Sequence, residues 1–336
     1  MGSDAGPQAL VDGAARAARE LGGAAFVFFG DERQLKPLID AAPALNGASI
    51  VHCDTAVAMT DKPMHVLRRG RETSMWKAIE ALEARKLNAV VSGGNTGALM
   101  AVSRMQLGMI AGVDRPAVTA LWPTPHGRCV VLDVGANVEA DAEELVTFAI
   151  MGEAFFKALT GKEKPTVGLL NVGAEDLKGH ELIRSAARVL RDAAPEMAFK
   201  GFVEGNDISL GAVDVVVTDG FTGNIALKSA EGAARLVGGW VKEALMSSLL
   251  SKLAALLMRG ELEKLKAKID PSSVNGGVFL GVNGIVVKSH GGANADGVAS
   301  AVKMAANLAG KGFRNQVAKT VAMVKEKASQ SVKAAE

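Results

Sequence analysis

The 336-residue chain has no tyrosine, three tryptophans and eleven phenylalanines, so aromatics make up only 4% of it. Its core must therefore be aliphatic, and the stacked aromatic platforms of single-strand nucleic-acid binders are excluded. Charge of one sign is also missing. Thirty-eight Lys and Arg stand against 36 Asp and Glu, a net charge of +2. That balance lacks the basic excess of a general nucleic-acid binder. Only two cysteines occur, Cys53 and Cys129, each inside an apolar run (SIVHCD, RCVVLDV). They read as reduced, buried thiols in a cytosolic setting, not as a disulfide framework. No basic segment followed by an apolar core opens the chain, and no uncharged apolar run is long enough to span a bilayer.

Apolar residues are plentiful at 49%, and glycines number 38. The apolar content excludes disorder for the bulk of the chain. Nine short β-rich runs alternate with longer helical patterns: 24–30, 48–53, 88–93, 116–122, 128–134, 165–172, 198–204, 213–219 and 284–290. Several are continuously apolar, as in parallel strands covered on both faces. Helices are expected over 73–86, 97–111, 142–160, 180–193 and 223–258, with a solvated terminal helix over 312–336. The alternation predicts a doubly wound, mostly parallel α/β sheet in a single domain spanning 1–336.

Almost every predicted strand runs into a glycine-bearing turn: FFGDE, SGGNTG, DVGAN, NVGAED, TDGFTGN, SHGGAN. Ligands of open parallel sheets bind at carboxyl ends of strands, so these loops are expected to converge on one sheet edge. Ser92-Gly93-Gly94-Asn95-Thr96-Gly97 joins a strand to a helix. Amide groups at a helix N-terminus suit an anion, and glycine allows its close approach; the same residues also suit a plain helix cap. No nucleotide fingerprint is present. Asp219, Thr222 and Asn224 repeat the arrangement. Asn171, Glu175 and Asp176 lie in a third loop, which alone supplies a cation, Lys178. Asp133 and Asn137 stand in a weaker loop. His290 fits an acid, a phosphate donor or a turn histidine. No His, Cys or carboxylate cluster has zinc spacing and no serine-hydrolase elbow appears, so no metal and no cofactor are expected.

Taken in order, SGGNTGALM, DRPA, LDVGANVEA, FAIMG, GLLNVGAEDLKG, DVVVTDGFTGN and KSHGG resemble the bacterial phosphate acyltransferases of phospholipid synthesis, over about residues 2–305. The resemblance implies a homodimeric α/β/α fold akin to phosphotransacetylases and isopropylmalate dehydrogenases. It implies transfer of a fatty acyl group from acyl carrier protein (acyl-ACP) to inorganic phosphate, giving acyl phosphate. It places the family's charge-bearing positions on Lys178 and Asn224, with His290 in reserve to protonate the leaving thiolate. Two further readings stay open: a phosphotransacetylase-like enzyme using short acyl-CoA, and a non-catalytic phosphate or nucleotide module. The family's leading strand and its D-A-M-G-G-D loop are represented only by Met1-Gly2-Ser3-Asp4, which puts any role of Asp4 in question and predicts an unfilled slot beside the strand at 24–30.

Two segments suggest partners. Arg68, Arg69 and Arg71 form the densest basic cluster and suit an acidic carrier protein or a solvated face. Residues 240–270 read as a protruding amphipathic helical hairpin broken at Arg259-Gly260. Its stripe includes Leu249, Leu253, Leu256 and Leu257, and Lys264, Lys266 and Lys268 follow on the second helix. Packing against a second copy and peripheral membrane contact are both expected there.

Overall fold

A computed structural model describes residues 2–263, 276–310 and 312–335, with side chains through residue 327. Two sheets carry the chain. Strands β1 (Val27–Gly30) and β2 (Ser49–His52) form a parallel pair beside helices α1 (Gly6–Leu21) and α2 (Glu32–Asp40). After α3 (Pro63–Arg69) and α4 (Ser74–Glu83), an eight-stranded sheet begins with β3 (Val90–Ser92) and α5 (Thr96–Leu107). Then follow β4 (Ala117–Thr124), β5 (Gly127–Leu132), α6 (Ala142–Thr160), β6 (Thr166–Leu170), α7 (Glu181–Ala193), β7 (Ala198–Val203), α8 (Gly205–Leu210) and β8 (Val215–Val217). Helices α9 (Gly220–Met246) and α10 (Leu249–Leu257) precede β9 (Gly277–Leu280), β10 (Val286–Lys288), α11 (Ala295–Ala309) and α12 (Phe313–Ala335).

The large sheet has the order β3-β10-β9-β4-β5-β8-β6-β7. Strand β1 pairs with β2, and β3 pairs with β10, so the ladder is interrupted between β1 and β3 as expected. Helix α4 packs on both strands and bridges the interruption.

One expectation fails. The runs at 116–122 and 128–134 do not lie parallel. They form an antiparallel hairpin, β4–β5, closed by the two-residue turn Pro125-His126 with Gly127 at φ +137°. Strand β9 is antiparallel to both β4 and β10. These two insertions reverse the sheet. Strands β3 and β10 run one way, whereas β5, β8, β6 and β7 run the other. The register sets where the halves meet. Leu132 pairs with Thr119, whose Oγ1 accepts from the Val278 amide at 3.0 Å; Val278 pairs with Val287, and Val287 with Val91. The carboxyl ends of β5 and β3 thus reach one level from opposite directions. The glycine loops do not share one edge of one parallel sheet. They fall into two sets, one on each lobe.

Each lobe is covered on both faces. Helix α6, started by a capping box of Asp141 and Glu144, is buried nearly all round against β5, β6, β8, α7 and α12. A second cluster joins α4 and α5 to β3, β9 and β10. Helix α12 is not the solvated end expected. Phe313, Val317, Val321 and Val324 are buried in the main core, and their 4-3-residue spacing was masked by the surrounding lysines. Helix α9 runs on from the DGFTGN loop, and the break after it falls at Ser247-Ser248, where Ser248 caps α10. Gly260 lies within helical turns, so the break expected at Arg259-Gly260 is displaced to Met258. Leu249, Leu253, Leu256 and Leu257 are all exposed and no α10 residue is buried. Lys264, Lys266 and Lys268 lie outside the described residues.

Candidate active site

The loop after β5 is the best-anchored part of the site. Asp133 is fully buried and its carboxylate accepts from the amides of Val118, Gly135, Ala136 and Asn137 at 2.7–3.2 Å. Asn137 Nδ2 donates to the same carboxylate at 2.9 Å and to the Pro116 carbonyl at 2.7 Å. These two residues hold the backbone and have no side-chain donor left for a ligand. The first turn of α9 sits directly on this loop. A Cβ on Gly223 would lie 1.9 Å from the Asp133 carbonyl oxygen, and one on Gly220 would lie 2.1 Å from that of Asn137. Only glycine permits that approach. Asp219 caps α9, accepting from the Thr222 amide at 2.8 Å and from its hydroxyl at 2.9 Å. Asp219 and Thr222 therefore spend these groups on each other.

Asn224, one turn further, is presented by this packing. It is half-buried with its side chain against Gly135. Among the described residues its carboxamide makes no hydrogen bond, which leaves donors and acceptor available.

The loop after β6 carries the cation. Lys178 folds over Gly173, where a Cβ would meet its Cδ at 2.5 Å. Its Nζ lies 2.8 Å from Glu175, both side chains being more than half exposed. That pair raises the lysine pKa and lowers the glutamate's. An exposed pair of this kind is held weakly, so an anion can replace Glu175 as partner. Asn171 is buried beneath, and its Nδ2 donates to the carbonyls of Lys178 at 3.0 Å and Gly173 at 3.2 Å. Asp176 ties the loop to α7 through Arg191 at 2.7 Å.

Across the sheet, Asn95 caps α5 by accepting from the Ala98 amide at 3.0 Å. Its Nδ2 donates to the carbonyls of Met59 at 2.8 Å and Asp61 at 2.9 Å. The reading of Asn95 as a side-chain phosphate donor is thus corrected, because its amide hydrogens clamp the 58–61 segment. Ser92 Oγ accepts from the Gly94 amide at 3.2 Å. Gly93 and Gly94 are buried, while Thr96 and Gly97 are exposed at the helix N-terminus. Ser3 lies against Gly93 and the Asp4 carboxylate against Gly291, so the first residues join this rim. His290 is exposed, and its Nδ1 accepts from the Gly292 amide at 3.2 Å.

Thr96 and Gly97 from one lobe and Gly135, Ala136 and Asn137 from the other line a single cleft. Gly135 also touches Asn224, so the two sets of loops meet there. Sequence reasoning gave Lys288, at the head of a weaker loop, no role of its own. It ends β10 in register with Ser92, half-buried, and burial pushes its pKa down to about 8 against the opposing pull of Asp4. Its place at the head of the glycine-bearing KSHGG loop was the available signal. Arg68, Arg69 and Arg71 are exposed near the cleft, flanking Leu67, which lines it.

The family model described as "Fatty acid synthesis protein" matches residues 1–316. Phosphate acyltransferase of Maricaulis maris is 54% identical over 94% of this chain and 92% of its own. That of Caulobacter vibrioides is 52% identical, covering 94% and 88%. The chain belongs to the phosphate acyltransferase family. It is an acyltransferase that passes an acyl group to phosphate in lipid synthesis. A phosphotransacetylase from Streptococcus pyogenes shares the fold at TM-score 0.55 and 14% identity, over 88% of this chain and 98% of that one. The EutD phosphotransacetylase of Staphylococcus aureus does so at 0.54 and 14%, over 89% and 99%. Both likenesses agree with a doubly wound α/β architecture. No helix among the described residues of the enzyme is long and apolar enough to cross a membrane.

Proposed function

We propose that the enzyme takes a fatty acyl group from the thioester of an acidic acyl carrier protein and delivers it to inorganic phosphate. The observation that supports this most is the meeting of the α5 N-terminus with Asn224 across one cleft, Lys178 standing on the same lobe as Asn224. Phosphate is already largely anionic near neutral pH and needs placing more than deprotonation. The amides of Gly93, Thr96 and Gly97, with the hydroxyls of Ser92 and Thr96, hold it at the α5 N-terminus. A phosphate oxygen attacks the thioester carbonyl, a C–O bond forms, and the oxygen left with negative charge is met by Lys178 and Asn224. Donors preplaced for such an oxyanion are each worth about 10²–10³ in rate. The C–S bond then breaks. The thiolate leaves without a strong acid, since its thiol has a pKa of about 8.5, with His290 in reserve to return the proton. The products are acyl phosphate and the free carrier thiol.

Arg68, Arg69 and Arg71 dock the carrier by charge complementarity. The exposed apolar faces of α9 and α10 serve a second copy of the chain along α9 and the membrane surface at the α10 tip, with the enzyme otherwise cytoplasmic. The deciding experiment offers palmitoyl-ACP or acetyl-CoA with phosphate. Acyl phosphate from the first alone is expected; turnover of acetyl-CoA alone points to a phosphotransacetylase, and no phosphate-dependent thioester cleavage removes the catalytic reading. Replacing Leu256 and Leu257 by Glu is expected to release the enzyme from anionic vesicles while leaving a dimer. Unchanged vesicle binding removes the membrane role.

A further inference from the structure

The cleft that joins the lobes has a volume of about 650 Å³, within the roughly 300–1,000 Å³ of small-molecule sites. Its two ends differ. At one end stand Thr96, Gly97 and Gly135, where the reacting groups meet. Further along α5 come Met100, Ala101 and Met105, and Leu67 of α3 and Val118 of β4 complete an apolar wall. That wall offers no hydrogen-bonding side chain to a polar ligand. Asn137 also lines the cleft, but both its amide hydrogens are already committed to Pro116 and Asp133. Arg104 sits on the exposed side of α5 at the rim.

Two parts of an acyl thioester carried on a protein could occupy such a wall. The carrier's arm contains amides, which would lose their hydrogen bonds against methionine and leucine. An alkyl chain loses nothing there. The two methionines of α5 also let the wall adapt its shape, because a thioether side chain is unbranched and flexible.

We propose that this apolar half of the cleft is the binding track for the fatty acyl chain, with Met100, Ala101 and Met105 setting how long a chain is accepted. The proposal rests on the acyl-transfer reading above and names where its lipid lies. The carbonyl carbon then stands between Asn224 and the α5 N-terminus, and the methylenes run along α5 away from phosphate. Each methylene taken from water is worth about 0.8 kcal/mol, close to a fourfold gain in kcat/KM, so a long chain outbids a short one as far as the track extends.

The test uses Ala101→Trp, which fills the track from a half-exposed helix position, together with Met105→Glu, which places a charge on it from an exposed one. The kcat/KM of each variant is measured with hexanoyl and palmitoyl groups on the same carrier protein. The expected result is a fall of tenfold or more for palmitoyl, twofold or less for hexanoyl, and an unchanged KM for phosphate. An equal fall for both chain lengths, or none for either, with both variants folded by circular dichroism, overturns the proposal. Wild-type protein that uses neither donor overturns the acyl-transfer reading instead, so the two failures are told apart.

Discussion

Two loops of the same lobe look alike in sequence and behave as opposites. DVGAN (133–137) and NVGAEDLKG (171–179) each leave a strand of the same parallel block and each combine Asn, Gly and a carboxylate. In the first, the carboxylate is buried and accepts five hydrogen bonds. In the second, the carboxylate of Glu175 is exposed and answers a single exposed lysine. A buried acid surrounded by amides is architecture. A cation folded over a glycine, with only a weak surface partner, is available to a substrate. Four of the glycine-loop asparagines divide in the same way. Asn95, Asn137 and Asn171 hold backbone carbonyls, whereas Asn224 does not.

The comparison breaks most visibly through stability. Asp133→Ala leaves the amides of Val118, Gly135, Ala136 and Asn137 and the Asn137 side chain without their acceptor, and each of these groups that stays shielded from water costs about 1–3 kcal/mol. A loss of about 3–5 kcal/mol in urea unfolding is expected, together with loss of activity as the seat of Asn224 loosens. A change under about 1 kcal/mol would mean that Asp133 is not the keystone of this loop.

Lys178→Ala is expected to do the reverse. The exposed Glu175 pair adds little to stability, so unfolding should shift by no more than about 0.5 kcal/mol. Acyl-phosphate formation should fall by about 10²–10³. Asn224→Ala is expected to follow the same pattern. Near wild-type turnover in either variant would remove that residue from the oxyanion.

Much of this contrast was legible before the structure. The alternation of apolar runs and helices placed all nine predicted strands, and the glycine loops marked the right strand ends. Strand β9 escaped notice because GVFL is short and borders a glycine-rich stretch, and with it went the reversal of the sheet. Direction is not written in an apolar run: RCVVLDV reads the same whether its neighbour is parallel or antiparallel. The roles of the asparagines were equally hidden, since a helix cap and a ligand donor call for the same residue. What separates them is the partner atom, which comes from 34–37 residues away for Asn95 and 21 for Asn137. The stripe of α12 was read as solvated because its lysines dominate the composition while its valines keep the helical period. The leucines of α10 mark the opposite limit, for their pattern is as apolar as that of α6 although α6 is core and α10 is bare.

The smallest effect concerns the two lysines, Lys178 on one lobe and Lys288 on the other. Pairing with Glu175 raises the pKa of the exposed one, while burial lowers the other to about 8. A lysine whose native pKa is depressed makes the folded state bind fewer protons than the unfolded chain between its two pKa values. Stability attributable to Lys288 therefore rises with pH from about 8 to 10.5 and is flat on either side. Lys288→Met removes that slope, because methionine carries no charge to desolvate. The difference in unfolding free energy between wild type and variant should narrow by about 1–2 kcal/mol across the window, less than the full pKa displacement since water still reaches a half-buried group. A difference that stays constant with pH would mean the ammonium is solvated, and that the two lobes do not differ in how they hold their cations.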